Sequence, residues 1–518
     1  MNAIFFMQGR SLQMFVGVMD ALRAHHGLDR AGLYVAEAAN YREFTRNRDL
    51  SACTQVLEWD VVRAARHHTP DMERLRRYDT PGEPLSRAIV ADRRLYYGPL
   101  CTLRQDYRRR FTDAQLLAII DRGIEAMERL FDEVRPDVVI SFICVTFGEY
   151  LGQLVARRRN VPILNLRATK IDNYVTLAPS IIEPSGLVRA EMGRPPGADP
   201  EAAAVAADFL ARARRASTKY EGVIPVSRRP PVGPRALRPG SGLGRLVAAE
   251  WAHRTGGAED NHAVSPLATL YYQRIANPLR ARRMNSALEA SYVRKTDVPG
   301  MRFAFFPLHT EPEVTLLVQS PEYLNQIEVV RLLSQSLPVG CSLVVKEHPA
   351  AIGKRSLGYY RKLLRIPGVR IADPALESQD LIAGSILVAT IAGSIGFEAA
   401  LQGRPVVTFG HTPYELLPPT MVRRITPAGA AGAIADLLAN YRFDEDAVLR
   451  YLTAMIRCSA PVNLYSTLLG REGVHVPGRQ AGWDVDTRAL ADLAARLLPA
   501  VRQLGSSPSA VMEGASCP

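Results

Sequence analysis

Short apolar runs alternate with helical segments along most of the chain, and this alternation restricts the fold more than any other feature. Eight runs have the length and apolar character of buried strands, at residues 3–7, 135–142, 161–166, 302–306, 342–345, 369–372, 386–390 and 405–408. Strands that alternate with helices at this spacing are typical of parallel βαβ units. The sequence therefore predicts an α/β fold with two Rossmann-like domains that face each other across a cleft, with extra helices and a disordered linker or insert.

The segment between the two predicted domains has an unusual composition. Between Arg212 and Arg245 there are eight Arg and one Lys against a single acidic residue, together with five Pro. Such a run buries little apolar surface, so residues 212–262 are predicted to be a linker or a mobile insert. The other predicted units are an N-terminal domain (residues 1–211), a connecting helical segment (263–300) and a C-terminal domain (301–430). C-terminal helices (431–504) and a flexible tail (505–518) follow.

The distribution of charge restricts the partners. The net charge is +12, and most of it comes from this basic run, so the rest of the chain is close to neutral. The run contains one aromatic residue, Tyr220, and therefore lacks the stacking surfaces of proteins that bind single-stranded nucleic acid. We expect no nucleic-acid partner, whereas a peripheral contact between the basic segments and an anionic membrane is compatible with the sequence.

Cysteine usage and hydropathy predict the compartment. The six Cys are scattered without a CxxC pair, and neither a secretory signal nor an uncharged apolar stretch of 18 residues is present. We therefore expect a cytoplasmic protein, free or peripheral at the inner face of the cell membrane. No metal site is predicted, because the His pairs at 25–26 and 67–68 have no third ligand in the sequence.

A lysine and a histidine follow the predicted strand at 342–345. Lys346 and His348 are two positions apart, so their side chains are expected to point the same way from the strand end. The chain has six Lys among its 64 basic residues, and a Lys kept among so many Arg suggests a need for a compact point charge. In open parallel sheets, ligands bind outside the carboxyl ends of the strands. The pair is predicted to bind a phosphate group; a surface Lys and a capped strand end are the alternative.

A glycine turn follows the predicted strand at 386–390. Thr390 ends this run, and Gly393 and Ser394 open a helix. Free backbone N–H groups and the helix dipole favour a phosphate there, and the Ser394 hydroxyl adds a donor. Glu398, on the first turn, could accept hydrogen bonds from a ribose. An ordinary strand-to-helix turn is the alternative.

Three further positions carry candidate acid–base groups. His309 and Glu311, followed by Glu313, come directly after the run at 302–306 and are expected at the same cleft. Glu149 and Asp172 follow two neighbouring strands of the N-terminal domain and could act as a base or a nucleophile. The alternatives are solvated loop acids and acids that complement a helix N-terminus.

Three segments carry a family resemblance. FFPLHTEPE, VVKEHP and TIAGSIGFEAALQGRPVVTFG, which begin at residues 305, 344 and 390, resemble segments of the capsule polysaccharide biosynthesis proteins. That family includes bacterial Kdo transferases of the glycosyltransferase-B (GT-B) fold. The resemblance covers residues 301–415, and the N-terminal half is similar only in architecture. The common family pattern Lys-Pro-His-Pro differs here, because Glu347 replaces its first Pro.

The resemblance implies a glycosyltransferase that moves a sugar from a nucleotide-activated donor to a growing bacterial surface or capsular polysaccharide or glycolipid. The best guess for the donor is a CMP-sugar such as CMP-Kdo. The residues implied in donor binding are His309, Lys346, His348, Thr390, Gly393, Ser394 and Glu398. Glu149, Asp172 and Glu311 are the catalytic candidates, with Glu149 first. No metal or other cofactor is expected, since Lys and His can neutralise the single phosphate of CMP.

Two other functions remain compatible with the sequence. A UDP-N-acetylglucosamine 2-epimerase-like enzyme would share the two-domain fold and the Gly/Ser and Glu nucleotide site, but it would act without an acceptor. A non-catalytic polysaccharide-assembly protein would keep the same fold as a scaffold, and its acid–base candidates would be dispensable.

Overall fold

The computed structural model describes residues 1–9, 11–183, 185–215, 227, 229–233, 242–256, 264–464 and 486–506. In these ranges the strands are β1 (Ala3–Met7), β2 (Ala31–Val35), β3 (Thr54–Leu57), β4 (Val138–Ser141), β5 (Ile163–Ala168), β6 (Tyr174–Ala178), β7 (Tyr292–Val293), β8 (Phe303–Pro307), β9 (Ser342–Lys346), β10 (Val369–Ala372), β11 (Leu387–Thr390), β12 (Val406–Thr408), β13 (Val422–Arg424) and β14 (Ser459–Pro461).

The helices of the first half are α1 (Ser11–His26), α2 (Ala38–Phe44), α3 (Glu58–Ala64), α4 (Met72–Tyr78), α5 (Ser86–Ala91), α6 (Arg93–Tyr96), α7 (Asp113–Val134), α8 (Phe147–Arg158), α9 (Gly186–Glu191) and α10 (Pro200–Arg215). Those of the second half are α11 (Gly242–Gly256), α12 (Pro266–Tyr271), α13 (Asn277–Leu288), α14 (Gln326–Ser336), α15 (Leu357–Leu364), α16 (Ser378–Gly384), α17 (Ser394–Leu401), α18 (Ala430–Asn440), α19 (Glu445–Arg457) and α20 (Thr487–Ser506).

The described strands form two seven-stranded sheets. The first has the order β14-β6-β5-β4-β1-β2-β3, and the second has the order β13-β12-β11-β8-β9-β10-β7. All neighbours are parallel except β5 with β6 and β6 with β14. Helices cover both faces, so strands such as β1 and β11 are buried along their whole length. The structure confirms the predicted α/β class with two Rossmann-like units.

Local sequence signals set the ends of the longer helices. The longest of them, α7, begins at a capping box in which the Thr112 side chain accepts from the Gln115 N–H and the Gln115 side chain accepts from the Thr112 N–H. It ends at Arg135, which has the left-handed backbone conformation with φ 50°. The apolar face of α7 packs on the first sheet, which covers that side of the N-terminal core.

The C-terminal part of the chain returns to the first sheet. Strand β14 pairs antiparallel with β6, and α20 packs against α1. The contact with α1 is close, because a Cβ built at Gly17 would lie 2.7 Å from the Cγ2 of Thr487. The first unit is therefore completed by residues that follow the whole of the second.

Several hydrogen bonds and ion pairs join the two units. Arg87 pairs with Glu322 at 2.6 Å, and the Asn277 amide donates to the Leu103 carbonyl at 2.7 Å. The hydroxyl of Tyr107 donates to the Glu311 carboxylate at 3.3 Å. The loop after α6 thus lies against the carboxyl edge of the second sheet.

Helices α11, α12 and α13 lie in the described part of the predicted linker and connecting segment, and a π-helical turn at residues 272–276 joins the last two. Residues 216–226, 228, 234–241 and 257–262 of the predicted linker lie outside the described residues. So do residue 263 of the connecting segment, 465–485 of the predicted C-terminal helices and 507–518 of the predicted tail. Of the helices in the described ranges, none is long and apolar enough to cross a bilayer.

Candidate active site

The candidate site lies at the carboxyl edge of the second sheet. Strands β11, β8 and β9 are adjacent there, so the loops that follow them meet at one edge. Of the donor-binding residues predicted from the sequence, these loops contain His309, His348 and Gly393. Lys346 and Thr390 are the last residues of β9 and β11, and Ser394 and Glu398 lie on α17. The described side chains fall into a central cluster, a buried ion-pair network behind it, and a carboxyl group beside it.

The central cluster is formed by His309 and the glycine turn after β11. The Nε2 of His309 lies 3.4 Å from the Oγ1 of Thr390, and the same hydroxyl oxygen accepts from the Gly393 N–H at 3.1 Å. A Cβ at Gly393 would lie 2.8 Å from this Oγ1 and 3.1 Å from the Cε1 of His309. The turn therefore requires Gly at 393. Ser394 begins α17 directly after it and is partly exposed.

Glu313 adds a carboxylate to this cluster. Its Oε2 lies 3.6 Å from the Nδ1 of His309, and about a third of its side chain is exposed. Burial by itself would raise the pKa of Glu313, but His309, His348 and Lys170 together hold it below its usual value. Glu313 is therefore ionised at neutral pH.

His348 and Lys346 are both largely buried at the end of β9. The Nδ1 of His348 accepts from the Ala350 N–H at 3.1 Å, which leaves its Nε2 to carry the proton of the neutral ring. Burial lowers the pKa of His348, and this outweighs the opposite influence of Glu313 and Glu347. Burial likewise lowers the pKa of Lys346 despite the nearby acids Glu377 and Glu347. Both groups would gain from a bound anion, which would favour their protonated forms.

A buried ion-pair network supports the loops behind the cluster. The Arg355 guanidinium donates to Glu347 and, at 3.1 Å, to Glu311, and it also donates to the His309 carbonyl. The Gln326 amide donates to the same Glu311 carboxylate at 2.5 Å. Glu347, which departs from the family pattern, is thus the partner of an arginine eight residues further along the chain. Glu311 is held in this network and not in the cluster.

Glu398 lies beside the cluster. Its carboxylate accepts from the Gln379 amide at 2.6 Å. Burial raises the pKa of Glu398 to about 7, although Gln379 and Lys170 act in the opposite direction. Lys170 acts on both Glu398 and Glu313, so this residue of the loop after β5 brings a positive charge from the first unit to the cluster.

The two N-terminal candidates have different surroundings. The carboxyl of Glu149 is buried, accepts from the Val145 N–H at 2.8 Å and lines a small enclosed cavity. Burial, with a smaller contribution from Glu58, raises the pKa of Glu149 to about 8 although the bond from Val145 lowers it. Asp172 accepts from Arg212 through both of its carboxylate oxygens, at 3.0 and 2.6 Å.

The structure thus brings His309, Thr390 and Gly393 together and places His348 and Lys346 at the adjoining strand end. Sequence reasoning gave no binding role to Lys170, whose only signal was a Lys directly after a strand, and it missed Arg355 and Gln326. No group of three or more His, Cys, Asp or Glu within the described ranges is arranged to hold a metal ion.

The two mainly parallel sheets, with this cluster at the edge of the second, define a two-domain fold of the GT-B type. Residues 259–422 match the family model described as "Capsule polysaccharide biosynthesis protein". This match lies over the segment whose motifs carry the resemblance, and it confirms that resemblance. A comparison with the sequences of curated proteins finds no match.

Solved structures of two kinds of enzyme are similar to the chain. A β-Kdo 2,7 transferase, KpsC of Thermosulfurimonas dismutans, is 14% identical over 66% of this chain and 83% of its own, with a TM-score of 0.31. The UDP-GlcNAc 2-epimerase of Neisseria meningitidis, bound to UDP-GlcNAc, is 12% identical over 88% of this chain and 98% of its own, with a TM-score of 0.28. Likenesses this weak identify neither a substrate nor a reaction.

Proposed function

We propose that the chain is a glycosyltransferase that takes a sugar from a nucleotide-activated donor and transfers it to a growing surface or capsular polysaccharide or glycolipid. A CMP-sugar such as CMP-Kdo is the donor that we favour. The observation that carries the proposal is the convergence of His309, His348, Lys346 and the Gly393 turn at one sheet edge.

Donor binding follows from the charges of this edge. A phosphate would accept from the free N–H groups at the start of α17 and from the Nε2–H of His348. Lys346 would supply a full positive charge close by, in surroundings from which water is largely excluded. Charge on the departing nucleotide would be stabilised by the same groups as the bond to the sugar breaks. Glu398, the fifth residue of α17 and an acceptor for the Gln379 amide, is the proposed ribose ligand.

The acceptor hydroxyl needs a base, and Glu313 is the best placed of the carboxylates. It is ionised at neutral pH, partly exposed and beside His309. Glu311 is engaged by Arg355, Asp172 is engaged by Arg212, and Glu149 holds a proton near neutral pH. We therefore assign proton transfer to Glu313, with His309 as the group that orients it.

A nucleotide panel tests donor binding. Full-length protein would be heated with CMP, CDP, UDP or GDP, and the nucleotide that binds most tightly should give the largest rise in Tm by mass action. CMP is expected to rank first. His348→Ala should abolish this rise while the Tm of the free protein changes little. A panel in which no nucleotide raises the Tm, or in which His348→Ala responds like the wild type, would contradict the proposal.

An activity assay tests the reaction. With a bound nucleotide identified, the matching nucleotide-sugar is incubated with and without a glycan acceptor. Transfer should require the acceptor, and Glu313→Gln should lower kcat at least a hundred-fold with little change in KM for the donor. Conversion of UDP-GlcNAc in the absence of an acceptor would instead identify a 2-epimerase.

A further inference from the structure

Six of the eleven large apolar side chains that are most exposed in the described part of the protein lie between residues 247 and 279. They belong to α11, α12, the π-helical turn and α13, and they are Val247, Trp251, Leu267, Tyr271, Ile275 and Leu279. We call these six side chains the outer face. Such a concentration on adjoining helices is unusual, because exposed apolar residues are ordinarily scattered singly.

The spacing of these residues places them on one side of the helices. Leu267, Tyr271, Ile275 and Leu279 follow each other at intervals of four, and Val247 and Trp251 repeat this interval on α11. Side chains four positions apart lie one above the other on a helix. The exposed fraction reaches 70% at Trp251 and 52% at Tyr271.

The opposite side of α13 and of the π-helical turn is fixed to the body of the protein. Ala281, Met284 and Leu288 of α13 are buried. The Asn277 amide donates to the Leu103 carbonyl at 2.7 Å, and the Arg104 guanidinium donates to the Tyr272 hydroxyl at 3.2 Å. The α13 helix and the π-helical turn are therefore already packed on their inner side. Among the described residues, α11 and α12 bury no apolar side chain and pack against each other.

A buried carboxylate holds α11 against α12. Glu250 accepts from the Ser265 hydroxyl at 2.8 Å and from the Leu267 N–H at 3.2 Å through one oxygen, and from Arg254 at 2.9 Å through the other. These bonds tie the middle of α11 to the N-terminus of α12. Val247 and Trp251, which flank Glu250 on α11, are consequently held close to the N-terminal end of α12.

Charge identifies the occupant of this surface. Residues 264–288 contain four Arg, at positions 274, 280, 282 and 283, and no acidic residue. All four are exposed. Helices that present Tyr, Leu and Ile beside Arg, with a Trp on the neighbouring helix, are typical of proteins that lie in the interface of an anionic bilayer. The apolar side chains then lie among the acyl chains and the Arg at the headgroups.

We propose that the outer face is a membrane-contact surface that binds anionic phospholipid bilayers without crossing them. The inference does not depend on the nucleotide site, because none of its residues belongs to that site. It concerns where the protein works, and it would place the carboxyl edge of the second sheet near a lipid surface.

Vesicle binding of the full-length protein tests this surface. Binding is measured by co-sedimentation with phosphatidylcholine vesicles and with vesicles that contain 30% phosphatidylglycerol. We expect binding to the anionic vesicles at least ten-fold tighter than to the neutral ones, weakening as salt is raised. The double variant Trp251→Ser/Leu279→Ser should lower the affinity for vesicles at least ten-fold. The double variant Arg274→Glu/Arg283→Glu should lower the affinity for anionic vesicles by about five-fold or more for each Arg replaced, which is again at least ten-fold in total.

Matched controls distinguish binding through the outer face from nonspecific binding to vesicles. Val339→Ser removes an apolar side chain that is 98% exposed elsewhere, and Arg370→Glu reverses an exposed charge on β10. Both should bind vesicles within two-fold of the wild type. The Tm of each variant and its response to nucleotide report whether the fold is kept.

Three results would overturn the proposal. The first is failure of the wild type to bind anionic vesicles, and the second is an equal loss of affinity in the control variants. The third is a protein that dimerises in solution without binding vesicles and becomes monomeric on Trp251→Ser/Leu279→Ser, since a second copy of the chain would then be the occupant of the outer face.

Discussion

The carboxyl of Glu149 gives the sharpest test of the electrostatics of the first unit. In the folded protein its pKa is about 8, whereas an exposed glutamate has a pKa of about 4.3. At pH values between these two pKa values, Glu149 keeps its proton in the folded state and has lost it in the unfolded state. The free energy of unfolding therefore falls as pH rises through this range. The linkage relation gives a loss of about 2 kcal/mol between pH 6 and pH 8 from this group alone.

Glu149→Gln should remove this loss. The amide is uncharged at every pH and keeps an oxygen that can accept from the Val145 N–H. The difference in Tm between the variant and the wild type should therefore grow in favour of the variant from pH 6 to pH 8, by about 4–8 °C. Glu133→Gln, at an exposed position on α7, is the matched control and should show no such trend.

Thermal unfolding at half-unit pH steps decides the question. A difference in Tm that stays constant from pH 6 to pH 8 would refute the buried, protonated carboxyl. Glu149 would then be ionised at neutral pH, and its role as the acceptor-side base, which the sequence suggested, would become the better assignment.

Two further predictions concern the second unit. Gly393→Ala brings a methyl group within 2.8 Å of the Thr390 hydroxyl, so nucleotide affinity measured by titration should fall at least ten-fold; Gly432→Ala, in open space on α18, should leave affinity unchanged. Arg355→Met leaves two buried carboxylates without their cationic partner and should lower the free energy of unfolding by about 3–5 kcal/mol in urea titrations. Adding Glu347→Gln should restore part of this loss.

Much of the fold could be predicted because its central strands are continuously apolar. The predicted runs at 3–7, 342–345, 369–372 and 405–408 correspond to β1, β9, β10 and β12 within a residue or two. Shorter or more polar strands such as β3 and β14 were missed, since their positions depend on pairing with neighbours that are distant in sequence.

The candidate site could be predicted only in part. Motifs that directly follow buried strands pointed to His309, His348 and the Gly393 turn, because carboxyl strand ends converge in a parallel sheet. The surroundings of each carboxyl could not be predicted in the same way. Glu311 and Glu313 are two positions apart in the same loop after β8, and nothing in the sequence distinguishes them. Glu311 is nevertheless bound by Arg355, whereas Glu313 lies beside His309.

The amino-acid sequence by itself determined the α/β class, the two-unit organisation and the strand ends at which polar residues gather, because hydrophobic periodicity and glycine turns act locally. Only the tertiary structure decided which carboxyl is ionised, which lysine reaches the cluster from the other unit, and which helices keep an exposed apolar face. Those properties depend on burial and on charges brought close from distant parts of the chain, and no local pattern contains them.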